Sequence, residues 1–221
     1  MIFELKQKKD KFLDKAYKDS MKELNDFYGI NWTRNTPKIF IVNSREDKAL
    51  LKEDMGNGSA DWTVGWTPTI DTVFVMNRLK IKTETSHKKG YTKEQYKSLI
   101  KHELSHLFFK ILVKGGFRPV WLWEGVAIYT SEQDRFKKRL EEFKQFLNFY
   151  DSHMSEDGKT SVYYESGFFV EMLVEKFGKK KFLNFLKSLQ KVKNRKEFDN
   201  LFFKTYKFKL NYKEINKSYK N

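Results

Sequence analysis

The chain has 221 residues with three prolines and no cysteine; 39% of it is hydrophobic and 17% aromatic. That size and aromatic content can bury one core, which excludes intrinsic disorder, and zero cysteines exclude disulfide frameworks, thiolate zinc sites, iron–sulfur ligation and a Cys nucleophile. The net charge of +15 is lopsided: residues 176–221 hold 15 Lys and Arg against Glu197, Asp199 and Glu214, so that segment alone carries +12. Such a field suits solubility or an anionic partner.

Residues 3–28 place Leu13, Ala16, Tyr17, Met21, Leu24, Phe27 and Tyr28 at helical spacing before Gly29. KIFIVNS (38–44) follows Pro37 as a β-branched strand, and Ser44 reads as the N-cap of a helix to about Leu51. Residues 56–59 form a turn cluster. Trp62–Trp66 and Thr72–Met76 read as two strands joined around Pro68, followed by a polar, lysine-rich loop to Tyr91. From Thr92, which forms a capping box with Gln95, the pattern is helical. The first of these helices is apolar along one side through Leu112 and stops at Gly115-Gly116. The next begins at Pro119 and runs through Tyr129, and further helices are expected over 135–150, 160–177, 179–190 and 195–206. The expected fold class is α+β. It is a single domain over 1–221, with an N-terminal α/β lobe (1–91) and a helical lobe (92–221). No apolar run approaches the roughly 18 residues of a membrane span. The first dozen residues have no apolar stretch of a secretory signal, so a soluble, cytoplasmic protein is the expectation.

Residues 102–106 read His-Glu-Leu-Ser-His. Histidines at i and i+4 of a helix lie one turn apart, about 6 Å along the axis, on one face. Their nitrogens can therefore meet one Zn²⁺ at about 2.0–2.1 Å. Glu103 can reach a water beside the metal without ligating it. His102, Glu103 and His106 interleave with Leu99, Ile100, Leu104 and Leu107, so part of the trio faces the interior, where polar groups need partners. A catalytic zinc site requires a third protein ligand. Glu124 is the candidate: it follows a Gly-Gly reversal that can fold its helix back on the first. It is also flanked by Trp121, Leu122, Trp123, Val126 and Ala127, where a lone carboxylate would be costly.

His102-Glu-Leu-Ser-His106 followed by Trp121-Leu-Trp-Glu124-Gly-Val-Ala resembles the gluzincins, zinc metallopeptidases of the peptidase MA-like and M1-like families. Seventeen residues separate His106 from Glu124, slightly fewer than in those families. Tyr163-Tyr164-Glu165-Ser166-Gly167 through Met172-Leu173 is similar to a Y-x-x-G…M-L segment of the same families. The resemblance spans about 92–190. It implies a thermolysin-like architecture with one zinc between the lobes, held by His102, His106 and Glu124, with Glu103 as general base. It also implies Tyr164 as the donor to the oxyanion; Tyr163 and His153 are the rival donors. A G-x-M-E-N segment, which grips a substrate α-amine in M1 aminopeptidases, is absent from the sequence, so endopeptidase action on a peptide or protein substrate is preferred. A strand at Thr72–Met76, were it the sheet edge, could take substrate backbone by β-addition. The competing reading is a non-catalytic metal-containing protein whose lysine-rich C-terminal segment contacts an anionic partner such as nucleic acid. An intact Glu103 speaks against it, since a purely structural metal site has no use for that carboxylate.

Overall fold

The computed structural model describes residue 7 and residues 9–54, 60–156 and 158–220; the turn expected at 56–59 lies outside them. The fold is α+β, a three-stranded mixed sheet set against a mostly helical body. Helix α1 (Lys11–Tyr28) is capped by Asp10, whose carboxylate accepts from Phe12 N and Leu13 N, and is closed by Gly29 at φ 64°. Strand β1 (Lys38–Val42) leads to α2 (Arg45–Asp54), where the Ser44 hydroxyl accepts from Asp47 N as the sequence suggested. Strand β2 is only Gly65–Trp66, and β3 is Thr72–Met76. A single helical turn, α3 (Ile81–Glu84), interrupts the lysine-rich loop.

The sheet order is β1-β3-β2, with β1 parallel and β2 antiparallel to β3. Thr72–Met76 is therefore the central strand and both its edges are occupied; the edge strands are β1 and β2, and β2 is the one beside Glu103. That corrects the placement of the candidate peptide-pairing edge. Alternation along β3 is suppressed because Val73, Phe74, Val75 and Met76 are all buried, as befits a strand covered on both faces.

Helix α4 (Lys93–Val113) opens with the expected capping box, Thr92 accepting from Gln95 N while the Gln95 side chain accepts from Thr92 N. Every residue from Ser98 to Phe109 is buried. This helix is the axis of the molecule, covered on all sides and not along one face only. Helix α1 packs along it, and the Tyr28 hydroxyl joins Ser105 Oγ (2.9 Å), which in turn accepts from Thr130 Oγ1 (2.8 Å) on α5 (Val120–Thr130). Pro119 gives α5 no side-chain cap. Its first N–H groups, Val120 and Trp121, instead donate to the Tyr150 and Phe149 carbonyls.

The helix expected over 135–150 does not form. Apolar residues recur there at helical spacing, and Phe143, Phe146, Phe149 and Tyr150 are all buried, but two short 3-10 turns (Gln133–Phe136 and Phe146–Asn148) and irregular chain bury them instead. The reason is tertiary. The buried Glu165 carboxylate accepts from Lys144 N, Gln145 N and Phe146 N, and Asn216 brackets the Phe143 backbone, so these amides are satisfied without a helical ladder. Helix α6 (Ser166–Phe177) starts later than the pattern suggested; α7 (Lys179–Ser188) and α8 (Arg195–Tyr206) fall where expected. A last helix, α9 (Tyr212–Lys220), was not anticipated, since Ile215 is its one fully buried residue. The basic segment is thus a packed helical layer: Phe182, Phe185, Phe198, Phe202 and Tyr206 are buried, while Lys204, Lys207, Lys209 and Lys213 are exposed. Among the described residues no helix is long and apolar enough to cross a membrane.

Candidate metal centre

His102 and His106 come from the buried middle of α4 and Glu124 from the first half of α5. The turn after α4, with Lys114 in the left-handed region at φ 49°, brings α5 back across it. Gly125 allows the close approach of the next element: a Cβ there would lie 2.6 Å from the Ser166 carbonyl oxygen, so α5 and the start of α6 meet backbone to backbone. The three side chains are 3–5% exposed, and one ligand atom from each lies within 4.8 Å of the others. His102 Nε2 is 3.2 Å and His106 Nε2 3.6 Å from Glu124 Oε2. That oxygen is buried and has no hydrogen-bond donor, whereas Oε1 is engaged by His153 Nε2 at 3.0 Å. One carboxylate oxygen is held and the other is turned toward two imidazoles.

The electrostatics match that arrangement. Burial pushes His106 down to about 3, so its ring is neutral and offers a lone pair. Burial also acts to lower His102, but Glu124 overcomes it and His102 titrates above its usual value. Burial alone would raise Glu124. The three imidazoles facing it, His106, His102 and His153, outweigh that and hold the carboxyl far below the ordinary range. A buried carboxylate stays ionised here because cationic or donor groups face it.

Two imidazoles and a carboxylate are a donor set suited to zinc, and an orphaned buried oxygen is what an absent cation would leave. The residues fit a divalent metal. The ring nitrogens on the far sides, Nδ1 of His102 and of His106, are buried without hydrogen-bond partners. His106 is oriented by stacking, its ring lying 4.3 Å from that of Trp123 at 9°. Trp123 belongs to the same W-L-W-E stretch as Glu124, so a single helical turn supplies one ligand and the plate that aligns another.

Glu103 is buried as well, and burial raises its carboxyl to about 7, against the attraction of His102. It lies against Gly65 of β2. A methyl group at Gly65 would stand 2.5 Å from Glu103 Oε1, 2.7 Å from Cδ and 2.8 Å from Cγ. Sequence reasoning missed Gly65; a glycine inside a strand pattern signals close approach of another group to the backbone. It also missed Tyr91, whose hydroxyl is pushed up to about 12 by burial and by the charge of Glu103.

The oxyanion candidates differ in placement. Tyr164, the residue the resemblance points to, is 50% exposed. Tyr163 takes the inward position. Its ring stacks on His153 (6.2 Å) and meets Trp62 edge-on (6.0 Å). Burial, then the charges of Glu124 and Glu103, raise its hydroxyl well above the usual value. The physical reason is local: 162–165 is a run of turns that precedes α6, so neighbouring side chains diverge and helical spacing to Gly167 does not apply. Lys137 Nζ donates to the Tyr163 carbonyl (2.6 Å) and so anchors this turn. The third candidate, His153, is committed to Glu124. Comparison of the chain with family models, with curated proteins and with solved structures gives no match in any of the three.

Proposed function

We propose that this protein is a zinc-dependent peptidase of the gluzincin kind, an endopeptidase with the thermolysin-like arrangement of a small sheet lobe above a helical lobe. The observation that supports it most is the pairing of a three-ligand cluster with a second carboxylate, Glu103. That carboxylate is equally buried, adjacent and not part of the ligand set. A divalent metal held by His102, His106 and Glu124 would supply Lewis-acid polarisation of a scissile carbonyl and would acidify water.

The protein's own groups do the rest. Glu103, backed by Gly65, takes the proton of the attacking water and passes it to the leaving nitrogen, so one water is consumed and one amide bond broken. A carboxyl raised toward neutrality by burial is matched to that task. The Tyr163 hydroxyl, kept protonated, donates to the oxygen on which negative charge develops. His153 fixes Glu124 through Oε1 and leaves Oε2 free to ligate. The outer edge of β2, directly beside Glu103, is positioned to pair with an extended peptide.

The test has two parts. Metal content by mass spectrometry should be one zinc per chain in the wild type and strongly reduced in His102→Ala and His106→Ala. Glu103→Gln should keep zinc and fold yet lose peptide hydrolysis. Unchanged metal in the histidine variants, or turnover near wild type in Glu103→Gln, refutes the assignment.

A further inference from the structure

One end of the centre is basic. The Trp123 ring that stacks on His106 also has the Arg118 guanidinium 4.8 Å and the Lys110 ammonium 5.5 Å from its centroid. On the other side of Glu103, Lys52 of α2 sits 5.8 Å over the ring of Trp66, the residue of β2 next to Gly65. All three cations are half-buried, and among the described residues none has a carboxylate within ion-pair distance. Lys110 Nζ is held by neutral acceptors only, the Thr67 carbonyl (2.7 Å), the Thr67 hydroxyl (3.2 Å) and the Thr69 carbonyl (3.3 Å). Lys110 and Lys52 both act electrostatically on Glu103, and Arg118 acts on Lys110, so two cations flank the Trp123 side of the site and one the Trp66 side.

Partly desolvated cations with no carboxylate in ion-pair contact can gain from an anionic partner that arrives. Lys52 lies over Trp66 of the edge strand along which an extended peptide would run, and Lys110 holds the loop that follows it. A guanidinium stacked on an indole keeps its N–H fork free for a carboxylate. Most other basic residues among the described ones are exposed. Charge at this end therefore selects what can sit beside Glu103.

We infer that Lys52, Lys110 and Arg118 form a carboxylate-binding subsite, which makes this a peptidase for substrates carrying a carboxylate close to the cleaved bond. The carboxylate is an acidic side chain or the peptide's own C-terminus. This rests on the peptidase reading for the word substrate, but the recognition itself is independent of turnover. Lys110 also pins the loop after β2, so the informative substitutions are Lys52→Gln and Arg118→Gln, alone and together.

The experiment compares peptides that differ only in Glu or Gln next to the scissile position, each with a free and an amidated C-terminus. Two readouts are taken at about 0.15 M salt: kcat/KM with the zinc-loaded protein, and Kd from tryptophan fluorescence with zinc-loaded Glu103→Gln. The wild type should favour the carboxylate-bearing peptide by about tenfold or more. Each substitution should lower that ratio about fivefold and the pair should abolish it. The same charge change on α1, Lys11→Gln with Lys18→Gln, should leave the ratio alone. A preference that follows the Glu side chain identifies an acidic residue; one that follows the unblocked end identifies the terminal carboxylate. A wild-type ratio near one, or an equal ratio in the double variant, overturns the inference. If no peptide is cleaved the peptidase reading fails, and the Kd ratio alone then decides whether the subsite exists.

Discussion

Gly65→Ala is the sharpest perturbation this structure offers. The added methyl would sit 2.5 Å from Glu103 Oε1, whereas ordinary contact begins near 3.4 Å, so the carboxylate must move by about 1 Å. The strand cannot easily yield instead: Gly65 pairs with Val75, and Val64 O accepts from Met76 N at 2.8 Å on its flank. Because the clash falls at the flexible end of a side chain, the cost to stability should be small, about 1 kcal/mol. The cost to chemistry should not be. Displacing a general base by about 1 Å loses about 10²-fold in kcat, while KM and zinc content stay near wild type because no ligand is touched. The assay is steady-state hydrolysis of a fluorogenic peptide, with metal analysis and thermal melting on the same preparation. A Gly65→Ala protein with kcat within threefold of wild type would show that Glu103 is not held against this glycine, and the general-base assignment would go with it.

Tyr163→Phe should lower kcat by about 10²–10³-fold with little change in KM, and Tyr164→Phe should stay within threefold; the reverse pattern in parallel kinetics would restore the exposed tyrosine. Activity should rise with pH as Glu103 ionises, since a base must be deprotonated to act. Burial raises its carboxyl to about 7 without metal and a bound cation lowers it, so the acidic limb of kcat/KM should fall between about 4.5 and 7. A limb that persists unchanged in the residual activity of Glu103→Gln would belong to another group. Glu165→Leu strands three backbone N–H groups at 144–146 and should cost about 3 kcal/mol or more by chemical denaturation; a loss below about 1 kcal/mol would mean that water replaces the carboxylate freely. The Tyr206 hydroxyl is buried without a partner, so Tyr206→Phe should be neutral or stabilising by up to about 1 kcal/mol in the same measurement; marked destabilisation would reveal a hidden bond.

Local chemistry was legible in the residues themselves. A Ser44 or Thr92 cap requires only the next three residues, and His102 and His106 must share a helix face whatever surrounds α4, because 3.6 residues make a turn. The ligand cluster follows almost as directly, since a Gly-Gly reversal leaves α5 little choice but to cross α4. Segments whose partners are distant in sequence were not legible. Residues 137–150 carry a helical hydrophobic rhythm, but their amides are claimed by Glu165 and their apolar rings by α5, α6 and α8, so burial at helical spacing was achieved without a helix. Which of two adjacent tyrosines faces the centre depended on a turn that no periodicity encodes. The edge strand was decided by register across the sheet, which placed Thr72–Met76 in the middle and left Gly65 beside Glu103. Covalent neighbours and helical pitch act over one turn of chain and can be read there; strand order, backbone approach and the desolvation that tunes Glu103 exist only once distant segments pack.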